Sequence, residues 1–255
     1  MRLSLLNGIE SPVVFKRLRK VFIVYTKQDI NCFLKFVRNY GKSLKAIEVI
    51  IDRSCDETAI AVLMTGLSQM QALIDLRVVG SRLDDDMMAL IPQNLRDIAV
   101  SLPNLKAFSL RLYHVNDCIV LNEMKLLFRD YFKGLKRLEM NTELYESLDE
   151  CKRLTHLTLY SEYNYIKYLI NDTFFVNIDK KFPKLQYLSI DYIDINENIL
   201  NSLSKLRKLK SLSLGKCKHN LSDNCIHSHG FEKSVIKQSC FREPDYELFL
   251  FDNQG

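Results

Sequence analysis

The chain has 255 residues, 47% of them hydrophobic, with only 8 glycines and 5 prolines. That composition excludes a collagen-like rod, a disordered chain and a long flexible linker, and it leaves enough apolar material for a sizeable core. Lys and Arg number 36 against 31 Asp and Glu, a formal charge of +5; the mild excess is spread along the sequence, which argues against nucleic acid as a partner.

The first cationic run, Lys16, Arg17, Arg19 and Lys20, reads as a solvated strand entry, with a localisation or phosphate patch as the alternative. A short pattern follows: apolar, two others, apolar, one other, apolar. It occurs as Leu18-Val21-Ile23, and the segment 29–40 after it carries a helical stripe of Ile30, Phe33, Leu34 and Val37. Leu44-Ile47-Val49 precedes a helix over 56–67, and Leu73-Leu76-Val78 precedes one over 84–100. Pro92 is expected to kink or split that third helix. Leu105-Phe108-Leu110 leads into a helix over 122–132. Leu135-Leu138-Met140 opens a shorter unit with room for about two helical turns. Leu154-Leu157-Leu159 precedes a helix over 171–182, and Leu185-Leu188-Ile190 one over 196–206. Leu209-Leu212-Leu214 is the eighth occurrence. Several helices start at Asp or Asn, which are good N-caps. Pro103, Pro183, Gly41 and Gly134 turn the chain back toward the next strand.

The first leucines fall at 18, 44, 73, 105, 135, 154, 185 and 209, so the units are 26, 29, 32, 30, 19, 31 and 24 residues long. One such strand hides its inward residues only when its neighbours stack beside it, and eight stacked units make a continuous core. The period resembles that of leucine-rich repeats. This implies an α/β leucine-rich-repeat solenoid: a right-handed horseshoe with a parallel concave sheet and convex helices. The expected layout is an entry segment over 1–17, about eight repeats over 18–223, and a C-terminal cap or tail over 224–255. In the tail, the run from Tyr246 to Phe251 is expected to be a capping strand, a partly formed ninth repeat or a partner-binding segment.

The last unit places Cys217 where many repeats carry Asn, followed by Leu221-Ser222-Asp223. Leu83-Asp84-Asp85 in the third unit and Val115-Asn116-Asp117 in the fourth stand at the equivalent turn, and these units resemble the cysteine-containing subtype found in F-box proteins, substrate receptors of cullin-RING (SCF-type) ubiquitin ligases. The resemblance implies a substrate-recognition module. Only 17 residues precede Leu18, too few for an F-box, so the chain reads as lacking that module or truncated of it. A ligase adaptor is then a partner only if an F-box lies upstream. The alternative is a stand-alone adaptor or inhibitor with no ubiquitin link.

On either reading the binding face is built from the outward strand residues. Arg77, Arg111 and Arg137 fall in three consecutive units, followed by the aromatic set His156, Tyr160 and Tyr187, with Glu139 and Asp191 among them. Arg and Tyr are favoured interface anchors. These eight residues are the candidate site for a protein ligand, with an acidic element facing the arginines; the competing reading is a solvated sheet face in which Glu48 and Glu139 offset the arginines.

No phosphate-binding glycine loop, GxSxG or HExxH is present, and no enzyme, cofactor or metal is expected. The run from Cys217 to Cys240 holds His219, Cys225, His227 and His229, but in an order that matches no standard zinc motif. The seven cysteines are irregularly spaced, and the apolar run Leu3 to Leu6 is too short for a secretory signal. Reduced thiols, a monomer in the cytoplasm or nucleus, and no membrane span are expected.

Overall fold

The computed structural model describes residues 18–80, 83, 85–112, 118–160, 172–191, 196–215 and 236–239. Nine strands lie among them: β1 (Lys20–Tyr25), β2 (Ala46–Ile51), β3 (Asp75–Gly80), β4 (Ala107–Leu112), β5 (Arg137–Asn141), β6 (His156–Tyr160), β7 (Tyr187–Asp191), β8 (Ser211–Gly215) and β9 (Ile236–Ser239). They form one sheet in sequence order, every pair parallel. The helices between them are α1 (Ile30–Tyr40), α2 (Glu57–Ser68), α3 (Asp85–Ser101), α4 (Cys118–Tyr131), α5 (Asp172–Phe175), α6 (Ile178–Lys181) and α7 (Glu197–Leu203). Between β5 and β6 the crossover is a 3-10 helix, Thr142–Leu148. The fold is an α/β leucine-rich-repeat solenoid.

The strand pattern explains the stacking. In β1 to β3 alternate residues are buried, and Ile23, Val49, Leu76 and Val78 are fully sequestered. Their buried neighbours come from one side only, the helices, so the other side of the sheet stays open. Asp56 and Asn196 cap α2 and α7 by accepting the backbone N–H of Ala59 and Ile199, which satisfies donors that the first helical turn leaves unpaired. A second regular feature lies one residue before each of β1 to β8. Lys45 N–H donates to Arg19 O, Ile74 to Lys45, Lys106 to Ile74, Lys136 to Lys106, Thr155 to Lys136, Gln186 to Thr155 and Lys210 to Gln186. This unbroken spine holds eight successive units in register along one edge of the sheet.

Three local expectations are refined. Pro92 sits inside α3 without splitting it. The predicted helix over 171–182 is two short helices, broken where Asn177 takes a left-handed conformation at φ 56°, and Phe174, Phe175 and Phe182 fill the space beneath them. The 19-residue unit closes with 3-10 rather than α-helix, because a tighter helix covers more length per residue. Within the segment 224–255, the strand beside β8 is Ile236–Ser239; the run from Tyr246 to Phe251 lies outside the described residues.

Candidate functional site

The register sorts the open face into rows that cross the sheet. The first row runs Lys20, Ala46, Asp75, Ala107, Arg137, His156, Tyr187 and Ser211. The second runs Phe22, Glu48, Arg77, Ser109, Glu139, Thr158, Ser189 and Ser213. The third starts Val24, Ile50, Val79 and Arg111, then loses its continuity between β4 and β5.

Glu139 is the centre of the second row. It accepts from Arg77 Nη2 at 3.1 Å and Ser109 Oγ at 2.8 Å, and it is ion-paired with Arg111. Arg77 also faces Glu48 at 3.7 Å. Two of the three predicted arginines therefore meet on one carboxylate, with Arg77 bracketed by acids on both sides. Arg137 does not join them. It is exposed in the first row, next to His156. The three arginines come from adjacent strands, but each lies in a different row, a distinction that spacing alone does not reveal. The rows also bring forward an outward residue that is not among the eight candidates. Asp75 lies one alanine away from both Lys20 and Arg137, and burial raises its carboxyl pKa while those cations and Arg77 oppose the rise. The alternation of acid, small residue and base along a row is the signal that identifies it.

The aromatic set divides as well. The His156 ring stacks on Tyr187 at 4.2 Å between centroids, 13° from parallel. Burial, and then the charge of Arg137, push the imidazole pKa down to about 4, so it is neutral at physiological pH. Tyr187 is exposed, as is Phe22 at the far end of the face. Tyr160 belongs to the sheet instead. β4 and β5 pair only from Ala107–Arg137 to Ser109–Glu139, which leaves the last peptide groups of β4 without a strand partner there. The Tyr160 hydroxyl fills the gap: it accepts from Leu112 N–H at 2.9 Å and donates to Leu110 O at 2.9 Å. Its ring is buried and lies beneath the Arg111 guanidinium, 5.6 Å from its centroid. The phenol is spent on backbone, so only its π-face contributes to the surface. Asp191 ends β7 half-buried, in register with Gly215.

Among the described residues no group of three or more His, Cys, Asp or Glu is placed to hold a metal ion, and no helix is long and apolar enough to cross a membrane. The Cys217–Cys240 cluster lies outside the described residues, apart from the strand Ile236–Ser239. Cys55 and Cys151 are buried, and burial raises their thiols to about 11 and about 12. Both stay protonated; Cys55 Sγ donates to Tyr25 O at 3.4 Å, tying the turn after β2 to the end of β1.

No protein-family model matches the chain, and no curated protein does either. Among solved structures, a Bacteroides fragilis protein is similar at 12% identity and a TM-score of 0.43, over 75% of this chain and 66% of that one. An internalin from Listeria monocytogenes is similar at 16% identity and a TM-score of 0.41, over 87% of this chain and 74% of that one.

Proposed function

We propose that this chain is a non-catalytic scaffold that holds a protein ligand on the open face of its sheet. One observation carries the reading: helices bury one face of the sheet, while the other presents two continuous, register-locked rows of side chains. Such a surface is rigid before binding, so a ligand pays little to order it. Exposed Phe22 and the Tyr187–His156 stack stand toward opposite ends of the face, with the Glu139 cluster between them. Aromatic anchors around a polar centre suit an extended protein segment lying across the strands. Glu48 and Glu139 together offset Arg77 and Arg111 in the part-buried centre, so an acidic element of the ligand is best matched to the more exposed neighbourhood of Arg137.

A substrate receptor of a cullin-type ubiquitin ligase is the finer reading. Its support is the sequence resemblance around Cys217 and Leu221-Ser222-Asp223. A stand-alone adaptor or inhibitor uses the same face without the ligase. Photo-crosslinking tests the shared claim. A benzophenone amino acid at Phe22 or Tyr187 should capture a discrete partner, and Arg137→Glu with Tyr187→Ala should abolish that capture. Equal capture from Leu34 or Val176, both exposed on helices or the turns beside them, would remove the open face from consideration. Arg77 is not a test position, since reversing it disrupts the Glu139 cluster itself.

A further inference from the structure

The hydrogen-bonded spine that precedes the strands gathers charge along one edge of the solenoid. Five of its eight positions are cations: Arg19, Lys45, Lys106, Lys136 and Lys210, all exposed. The other three are uncharged. The helix-to-strand turns that lead into the spine add more exposed cations, including Lys133, Arg153 and Lys208. The only carboxylates in those turns, among the described residues, are Asp149 and Glu150, and Asp149 is held by Lys181 at 3.0 Å. None of the five spine cations forms a salt bridge among the described residues. Acids predominate at the opposite edge, where Asp52, Asp56, Asp172 and Glu197 sit in the strand-to-helix turns and first helical turns, with Lys27, paired with Asp56 at 2.6 Å, and Arg53 among them. A modest net charge is thereby distributed unevenly, mainly basic along one edge and mainly acidic along the other.

We propose that the basic rim is a second binding surface, one that takes the sugar–phosphate backbone of a nucleic-acid duplex without reading its sequence. Three features favour this partner over an acidic protein or an anionic membrane. Eight units at a strand spacing of about 4.8 Å extend the rim over about 34 Å, close to one turn of a double helix, about 34–36 Å. Its cations are mainly lysines, which protein interfaces disfavour and phosphate contacts use. The spine has no aromatic residue to stack on unpaired bases, and a single half-buried aliphatic member, Ile74, is too little apolar surface to wedge into a bilayer. The helix C-termini also face this edge, but a helix dipole stabilises cations only in its own last turn, and the spine lies beyond those turns. This surface is separate from the open face, and neither proposal depends on the other.

The test is fluorescence anisotropy of the full-length chain with a labelled random-sequence duplex of about 20 base pairs, titrated across salt concentrations. Five phosphate contacts predict a log–log salt slope near −4.5, at about 0.9 per contact. Lys45→Glu, Lys106→Glu and Lys136→Glu together should reduce the slope's magnitude by about 2.7, from three contacts at about 0.9 each, and weaken binding at least tenfold. A control triple of the same net charge, Lys35→Glu, Arg53→Glu and Arg96→Glu, changes exposed residues away from the rim and should retain the slope. Circular dichroism melts confirm that both triples fold. The proposal is overturned if the duplex fails to bind at about 50 mM salt, or if both triples lose binding equally. It is also overturned if phosphatidylserine vesicles or polyglutamate bind the wild-type rim at least as tightly as the duplex does.

Discussion

Tyr160→Phe isolates the hydroxyl that bridges the β4–β5 gap. The substitution keeps the ring, its packing and its place beneath Arg111, and it removes two hydrogen bonds of 2.9 Å, one accepted from Leu112 N–H and one donated to Leu110 O. Both backbone groups would then be left without that partner in a part of the sheet where Leu110 and Leu112 are themselves buried. A buried polar group left unsatisfied costs about 1–3 kcal/mol, so the pair should cost about 3 kcal/mol. For a chain of this size each kcal/mol lowers the melting temperature by about 2–4 °C, which predicts a drop of about 6–12 °C. Scanning calorimetry reads the global effect. Amide hydrogen exchange reads the local one: Leu112 should exchange faster, while amides of β1 and β2 keep their relative protection. Capture of a ligand on the open face should survive in the folded variant, since the phenol is committed to backbone. A melting temperature within 1 °C of wild type, with unchanged Leu112 exchange, would refute the assignment of this hydroxyl as the closure of the gap.

Other perturbations probe the remaining elements. Gly66→Ala places a Cβ 2.5 Å from Cε1 of fully buried Phe33 and 3.1 Å from Val37 Cγ2. Overpacking at the α1–α2 contact costs about 1–3 kcal/mol, more than the helix-propensity gain of about 1 kcal/mol, so chemical denaturation should show a net loss. His156 titrates at about 4 in the folded chain against an ordinary 6.5. The unfolded chain therefore binds a proton first as pH falls, and stability should decline between about 6.5 and 4, then level off. His156→Gln should flatten that segment of a pH–stability profile; an unchanged slope would refute a neutral, stacked imidazole. Asp75 has a raised pKa, so its ionisation opposes folding. Asp75→Asn should leave the neutral-pH melting temperature unchanged or higher, with the difference shrinking in acid, and a clear loss of stability at pH 7 would show that its cation contacts outweigh burial. Glu139→Gln removes the charge shared by Arg77 and Arg111. With charge-assisted bonds worth about 1.5–3 kcal/mol each, it should destabilise the chain by about 2–4 kcal/mol in a denaturant midpoint assay.

Length, periodicity and residue type determined the architecture. Leu76, Leu138 and Leu188 had to be buried because apolar teeth at positions one, four and six recur in every unit, and a lone strand has nothing against which to hide them. The same alternation assigned the outward residues to the open face. What the sequence left undecided was which outward residues meet. Arg77 and Arg111 converge on Glu139 while Arg137 stands apart, because register, not chain spacing, aligns residues across strands. Tyr160 reads as a surface aromatic until the shortened β4–β5 pairing shows that its hydroxyl substitutes for missing strand contacts. The charge tells the same story on a larger scale. Along the chain the cations are scattered among nearly as many acids, 36 against 31, and the net charge is small. Parallel stacking returns the same position of successive units to the same edge, so a weak periodic bias in sequence becomes a predominantly basic rim in space, with cations at five of eight positions.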